Sequence, residues 1–241
     1  LCAELTAIRE TADRCGLHIR TFYIGGGTPT SLSAAQLEQL MSHIAKTFDL
    51  AKLDEYTAEA GRPDCTDAEK LRIIKKYGAT RISINPQTFS DQVLQNIGRR
   101  HTAQDIIDCF AAARAAGHKN INMDLIVGLP GETEDEFTQT LAFLERCAFA
   151  SVHVFPYSVR EGTKAAAMPG QLDQQTKTAR AERAKQVAET LSAAYRKQFV
   201  GRTLYALPEH PTGGLWAAHG RYGFPVYIED KAEKNHPVTV K

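Results

Sequence analysis

The sequence predicts an α/β protein built on a parallel sheet, closed toward a barrel in preference to an open doubly wound sheet. Three observations carry this. Strand-like and helix-like segments alternate five times with helix-length spacers, the pattern of right-handed strand–helix–strand crossovers. The strands also alternate in polarity: Arg81, Ser83, Asn85 and Gln87 interleave with Ile82, Ile84 and Pro86, and Asn120, Asn122 and Asp124 with Ile121, Met123 and Leu125. A period of two puts the polar groups on one face, whereas strands covered by helices on both faces read as apolar runs. Glycine and proline then cluster where strands end, as in Gly25–Gly27, Gly61–Pro63 and Gly128–Gly131, the end at which barrels build their sites. An antiparallel sheet with one wet face would alternate the same way, but the helical spacers argue against it.

Taken in order, residues 1–16 form an amphipathic helix with Leu1, Leu5 and Ile8 on a stripe, closed at Cys15-Gly16. A strand over 21–25 enters the glycine turn. Ser33 caps a helix whose stripe is Leu37, Leu40, Met41 and Ile44. A strand over 55–60 ends at Gly61-Arg62-Pro63-Asp64, and Thr66 caps a third helix carrying Leu71, Ile73 and Ile74. Strand 80–87, a short helix over 90–97 and a long one from Thr102 to Ala116 follow. Strand 120–127, a helix from Thr133 to Cys147 and strand 151–157 complete the alternation. Residues 172–199 make one long helix with Ala184, Val187, Leu191 and Tyr195 on a stripe; Lys177, Arg180, Arg183 and Lys185 near its start read as a solvated face. Beyond Gly201, strand-like pieces (203–207 and 225–228) alternate with Gly, Pro and His. There Trp216 and Tyr222 could stack on bases, but core of a small barrel is the favoured reading.

The bulk numbers exclude several classes. With 43% hydrophobic and 24% charged residues and a net charge of +1, nothing argues for global attraction to nucleic acid or membrane. No apolar run approaches the ~18 residues of a membrane span, and no signal peptide opens the chain, so a cytoplasmic protein is expected. The cysteines, Cys2, Cys15, Cys65, Cys109 and Cys147, show no close metal-ligand spacing. The expected metal content is none.

The glycine turn Tyr23-Ile24-Gly25-Gly26-Gly27-Thr28-Pro29-Thr30 is neither a dinucleotide nor a Walker loop. By itself it serves equally as a strand-to-helix turn or as a place where backbone approaches a ligand. Glu59 and Asp124 on neighbouring strands could be an acid/base pair or could hold a ribose or an amine. Spacing alone yields a barrel binding a small, multiply polar molecule.

Together with Glu59–Asp64, Arg81–Thr88, Ile97–His101 and Asn122–Gly131, the glycine turn resembles the radical S-adenosylmethionine (SAM) enzymes. The branch it resembles over residues 1–146 is the oxygen-independent coproporphyrinogen III oxidase-like proteins. The resemblance implies that Gly25, Gly26, Gly27 and Thr28 meet the methionine end of SAM and that Glu59 also binds it. It implies further that Gln87, Arg99 and Asp124 contact a second SAM. In that family a [4Fe–4S] cluster on three cysteines holds SAM, and an external donor supplies the electron that cleaves it. The resulting 5′-deoxyadenosyl radical removes hydrogen from substrate. The cluster motif C-x-x-x-C-x-x-C is missing from this sequence. Since Leu1 opens within a helix, the expectation is truncation upstream, the alternative being loss of the cluster. No radical chemistry is expected of this chain alone.

Residues 148–241, from His153-Val154-Phe155-Pro156-Tyr157-Ser158 onward, resemble radical-SAM tRNA methylthiotransferases, especially the threonylcarbamoyladenosine type. The implied organisation is a partial (β/α) barrel of the radical SAM type over 1–160, lacking its first strand and cluster loop. A loop and long helix over 161–200 and a partial TRAM-like β segment over 201–241 follow. Three readings stay open: a tetrapyrrole-acting enzyme piece, a tRNA-modifying piece, and a non-redox SAM-binding module or inert fragment. A natural recombinant, a join near 145–150, and over-reading of one half all remain accounts of the two resemblances.

Overall fold

The computed structural model describes residues 1–220, 222–229 and 231–241. Five parallel strands form one sheet in chain order: β1 (Thr21–Ile24), β2 (Glu55–Glu59), β3 (Arg81–Ser83), β4 (Ile121–Val127) and β5 (Ser151–Pro156). Helices α1 (Cys2–Arg14), α2 (Ala34–Thr47), α3 (Ala68–Lys76), α4 (Asp91–Asn96), α5 (Ala103–Ala115) and α6 (Glu134–Cys147) precede and connect them, and α7 (Gln174–Lys197) follows β5. A doubly wound sheet reverses its strand order at a switch point; this one never reverses. Its connectivity is that of a barrel arc, and among the described residues β1 and β5 do not pair to close it.

The register assigns the two faces. Tyr23, Thr57 and Arg81 are partners across three strands, as are Glu59, Ser83 and Asn122, and Asp124 faces His153. The polar residues predicted to share a face therefore do. The opposite face, with Tyr56, Ala58, Ile82, Met123 and Leu125, packs under α2, α3, α5 and α6 in the main core.

Ser33, Thr102 and Thr133 each form a reciprocal capping box, satisfying helix N–H groups that otherwise lack partners. Five sequence expectations are corrected. Asp67 caps α3 in place of Thr66, whose hydroxyl lies 2.8 Å from Thr30 Oγ1 and 2.9 Å from the Arg62 carbonyl. Strand β3 stops at Ser83, because Pro86 has no N–H for a ladder; Gln87 regains a single bridge to Leu125. On α1, Leu1 and Ile8 are exposed and Ala12 is the buried contact. The start of α7 is only in part a solvated face: Arg183 and Lys185 are exposed, but Lys177 and Arg180 are each 5% exposed. Helix α7 lies on β5 and α6, and that packing turns both side chains inward. Finally, the tail holds four strands where two were expected.

Those strands, β6 (Leu204–Thr212), β7 (Leu215–Gly220), β8 (Pro225–Ile228) and β9 (Val238–Val240), form an antiparallel sheet in the order β8-β7-β6-β9. Trp216 packs on its small core, and the Tyr222 ring lies 4.4 Å from that of Phe199. This sheet meets the arc where the parallel strands begin. Asn120, just before β4, donates to the Tyr222 carbonyl at 3.2 Å, and Arg20, just before β1, lies over the Tyr205 ring at 5.4 Å. Ala150, just before β5, joins Tyr195 and Phe224 in one apolar cluster. Among the described residues no helix is long and apolar enough to cross a membrane.

Candidate functional site

The other end of the arc, where the strands finish, carries the predicted residues. Leaving β1, the chain turns through Gly25–Gly27, with Gly26 at φ 101°, a region side chains avoid. A Cβ on Gly26 or Gly27 would meet nothing within 4 Å, so this backbone is open to approach. Gly25 differs: a Cβ there would lie 2.4 Å from Tyr23 Cε1 and 3.2 Å from Glu59 Cδ. The Tyr23 ring lies across Gly25, and its hydroxyl donates to Glu59 Oε1 at 2.5 Å. Burial, and then the Glu59 carboxylate, push the Tyr23 phenol up to about 12. The turn continues through Thr28, whose carbonyl accepts from Ser31 N–H at 2.8 Å, to buried Thr30. Lys70 Nζ there clamps the carbonyls of Thr30 and Cys65 at 2.8 and 2.9 Å, locking the loops after β1 and β2 together.

Along the inner face, Asn122 Nδ2 donates to Ser83 Oγ at 3.3 Å and Ser83 Oγ to Asn85 Oδ1 at 2.7 Å. Asn85 Oδ1 also accepts from Asp124 N–H at 3.2 Å. This chain fixes Asp124 beside the mouth. Its carboxyl is held above the usual range by burial and by nearby Glu59, against the pull of His153. Asn122 Oδ1 is buried without a partner, an unused acceptor on this polar face.

Gln87 sits at φ 75° after β3, its carbonyl accepting from Ile126 N–H at 2.8 Å. Arg99 emerges from the end of α4, its guanidinium pKa lowered by burial and then by the charge of Arg62. Arg62 grips Asp64 with two hydrogen bonds of 3.2 and 2.7 Å. His101 is buried with Nδ1 3.8 Å from Asp64 Oδ1 and Nε2 3.3 Å from the Pro86 carbonyl; burial pushes its pKa down. Gly25–Thr28, Glu59 and Asp124 thus line one mouth, and Gln87 and Arg99 stand on the adjoining loops. Glu59 on β2 and Asp124 on β4 are not on neighbouring strands as expected but have β3 between them. From sequence His101 reads as a helix-start residue and no ligand, and Arg62 and Asp64 carry no assigned role. The signal was there, since Gly61-Arg62-Pro63-Asp64 directly follows a strand.

The cysteines do not gather at this mouth. Cys109 and Cys147 are buried, each pushed up to about 12 by burial, and Cys65 packs on Thr30. Among the described residues no group of three or more Cys, His, Asp or Glu could hold a metal. The donor set of this chain does not fit a three-cysteine [4Fe–4S] cluster.

Residues 4–144 match the Radical SAM superfamily. The oxygen-independent coproporphyrinogen-III oxidase-like protein HemZ of Bacillus subtilis (strain 168) is 40% identical over 162 residues, 67% of this chain and 32% of that protein. A tRNA-2-methylthio-N(6)-dimethylallyladenosine synthase of Maricaulis maris (strain MCS10) is 38% identical over 249 aligned residues, 97% of this chain and 53% of that protein. This chain therefore spans a third to a half of the length of these relatives. The second alignment runs through residues 145–150, so the likeness to tRNA-modifying enzymes extends beyond the tail in which it was read. Escherichia coli coproporphyrinogen III oxidase (HemN), a radical SAM enzyme, shares the fold with a TM-score of 0.66 over 90% of this chain and 58% of its own, at 21% identity. By sequence match and by fold, this chain belongs to the radical SAM superfamily.

Proposed function

We propose that this chain is the SAM-binding part of a radical SAM protein acting on a tetrapyrrole, of the coproporphyrinogen III oxidase-like kind. The observation that carries the reading is the gathering of an open glycine turn and two carboxylates, Glu59 and Asp124, at one end of a polar-faced arc. The residues fit SAM, a small zwitterion with a ribose. Exposed glycine backbone receives the methionine end at Gly25–Thr28, and Glu59, held in place by Tyr23, takes the amino group by charge-assisted hydrogen bonds. Gln87, Arg99 and Asp124 serve a second SAM, with Arg99 opposite its carboxylate. SAM supplies hydrogen-abstracting radical chemistry in this superfamily; the residues of this chain bind it, orient it and exclude water. A cytoplasmic setting and an external electron donor belong to the same proposal.

The tetrapyrrole reading is supported by the HemZ likeness and by the position of the tail. The seven residues of β4 separate the tail sheet from the mouth by roughly 20 Å, at ~3.3 Å per residue. A macromolecule seated on the tail is thus at the wrong end for the mouth. The second reading, tRNA modification, is supported by the alignment over 97% of the chain.

Equilibrium dialysis of the 241-residue chain against SAM tests the shared part, with Asp124→Ala expected to weaken binding about tenfold without unfolding the chain. Coproporphyrin III titration and a tRNA gel shift separate the rest. Absence of SAM binding leaves the inert fragment. SAM binding with a tail-dependent, salt-sensitive tRNA shift and no coproporphyrin binding transfers the assignment to tRNA modification. SAM binding with neither leaves a non-redox SAM-binding module.

A further inference from the structure

At the mouth, on the β4–β5 side away from the glycine turn, a buried lysine lacks a counter-charge. Lys177 is 5% exposed. Its stem crosses Gly128, where a Cβ would sit 2.6 Å from Lys177 Cγ and where φ is 75°, so this position requires glycine twice over. The ammonium then lies 5.2 Å from the centroid of the Tyr157 ring. Tyr157 is held at the end of β5 by its N–H, which donates to the Val127 carbonyl at 2.8 Å. Its hydroxyl is buried and has no partner.

The acids near Lys177 are engaged elsewhere. Glu132 and Glu134 pair with Arg180, and Glu134 also with Arg183. Asp173 accepts from Thr176 N–H at 2.8 Å to cap α7. Among the described residues no carboxylate pairs with Lys177. Burying the lysine stem beside an ammonium that has no counter-charge desolvates that charge in part and raises the free energy of the fold. The ring face offsets part of that, and an anion offsets the rest.

We infer that Lys177 and the Tyr157 hydroxyl form an anion subsite that takes a peripheral carboxylate of the substrate. An anion oxygen there accepts from the ammonium and from the orphaned hydroxyl together. The carboxylate identity rests on the tetrapyrrole reading; the anion subsite itself does not. In the proposed arrangement the carboxylate of the first SAM belongs to the β1–β2 side and that of the second to Arg99 after α4, so neither takes this subsite.

The test titrates the 241-residue chain with coproporphyrin III, with its tetramethyl ester and, separately, with inorganic phosphate, in wild type, Lys177→Met and Tyr157→Phe, each checked for fold by circular dichroism. The expected result is that Lys177→Met weakens coproporphyrin about tenfold and Tyr157→Phe about threefold, with ester and SAM affinities unchanged. Equal coproporphyrin affinity in all three proteins overturns the subsite, as does phosphate binding that ignores both residues when coproporphyrin does not bind. Phosphate binding that depends on Lys177 without coproporphyrin binding keeps the subsite and removes the tetrapyrrole reading. Should Lys177→Met not fold, Tyr157→Phe decides by the same readings.

Discussion

Where the parallel strands begin, the arc is stoppered by rings and backbone: Tyr195, Phe199, Tyr222 and Phe224 stack on one another below Ala150. Where they finish, polar side chains bridge the strand ends and loops turn through Gly26, Gln87 and Gly128 at positive φ, as Gly78, Gly117 and Ala148 also do before β3, β4 and β5. The floor satisfies its apolar surface internally, whereas the mouth leaves donors, acceptors and an ammonium unspent. Strain and unsatisfied polar groups persist only where surrounding structure or a ligand compensates them. The unspent polar groups support the proposed site at the mouth.

The largest test of this contrast lies in what ties α7 to the mouth. Arg180 Nη1 lies 2.8 Å from Glu132 Oε2 and 2.9 Å from the Glu132 carbonyl, and Gly128 N–H donates to the same carboxylate at 2.7 Å. Burial holds the Glu132 carboxyl above its usual range even against Arg180, so pairing does not recover the whole desolvation cost. Arg180→Ala leaves Glu132 buried with the Gly128 N–H but without a counter-charge and is expected to cost about 3–5 kcal/mol in urea denaturation. Replacing both partners with apolar residues is expected to restore most of it. A loss below about 1 kcal/mol for the single variant would show that the mouth is not tied here.

At the floor, Phe224→Ala removes a ring 5.3 Å from Phe199 and 6.3 Å from Tyr195, an expected loss of about 3 kcal/mol. SAM affinity, measured on the folded variant, should stay within about twofold, since the site lies beyond the length of a strand. A parallel drop in SAM affinity would erase the distinction between the two ends.

Gly25→Ala acts at the mouth with the opposite profile. The added Cβ displaces the Tyr23 ring, which is 54% exposed and free to swing out. Stability should change by less than about 1 kcal/mol. Glu59 loses its tether, so SAM affinity should fall about tenfold. Wild-type affinity would remove Tyr23 and Gly25 from the positioning of Glu59.

Much of the mouth was legible in sequence because strand alternation is a local code. Glu59, Asn85 and Asp124 declare their face by a period of two, and register then brings them together. The start of α7 was illegible for a complementary reason. A helix bearing Lys177, Arg180 and Arg183 carries the same charges whether wet or buried, and what buries Arg180 is an acid 48 residues away. His101 was legible as a helix-flanking residue but not as a buried neighbour of Asp64, a pairing made only by loops. In the tail, β7 and β9 escaped because β7 has two adjacent alanines at its centre and a glycine at its end and β9 is only three residues long, too little pattern for alternation to declare.

The smallest expected effect compares the ends through their histidines. His101 stands at the mouth; His118 lies toward the floor, just before β4, with Nε2 2.9 Å from the Leu71 carbonyl. Burial lowers both pKa values below the ordinary 6.5. Between that value and the folded one, the unfolded chain binds more protons, so stability is full above about pH 6.5 and falls as pH drops through the folded pKa values. Denaturation midpoints should therefore decline from pH 7.5 to 5.5, and His101→Gln and His118→Gln should each flatten part of that slope. The ends then separate on ligand. An anion or SAM at the mouth adds carboxylate or phosphate charge near Arg62, Asp64 and His101, so the His101 share of the slope should change with ligand while the His118 share does not. Equal response of both shares would mean that His101 is insulated from the mouth by the Arg62–Asp64 pair.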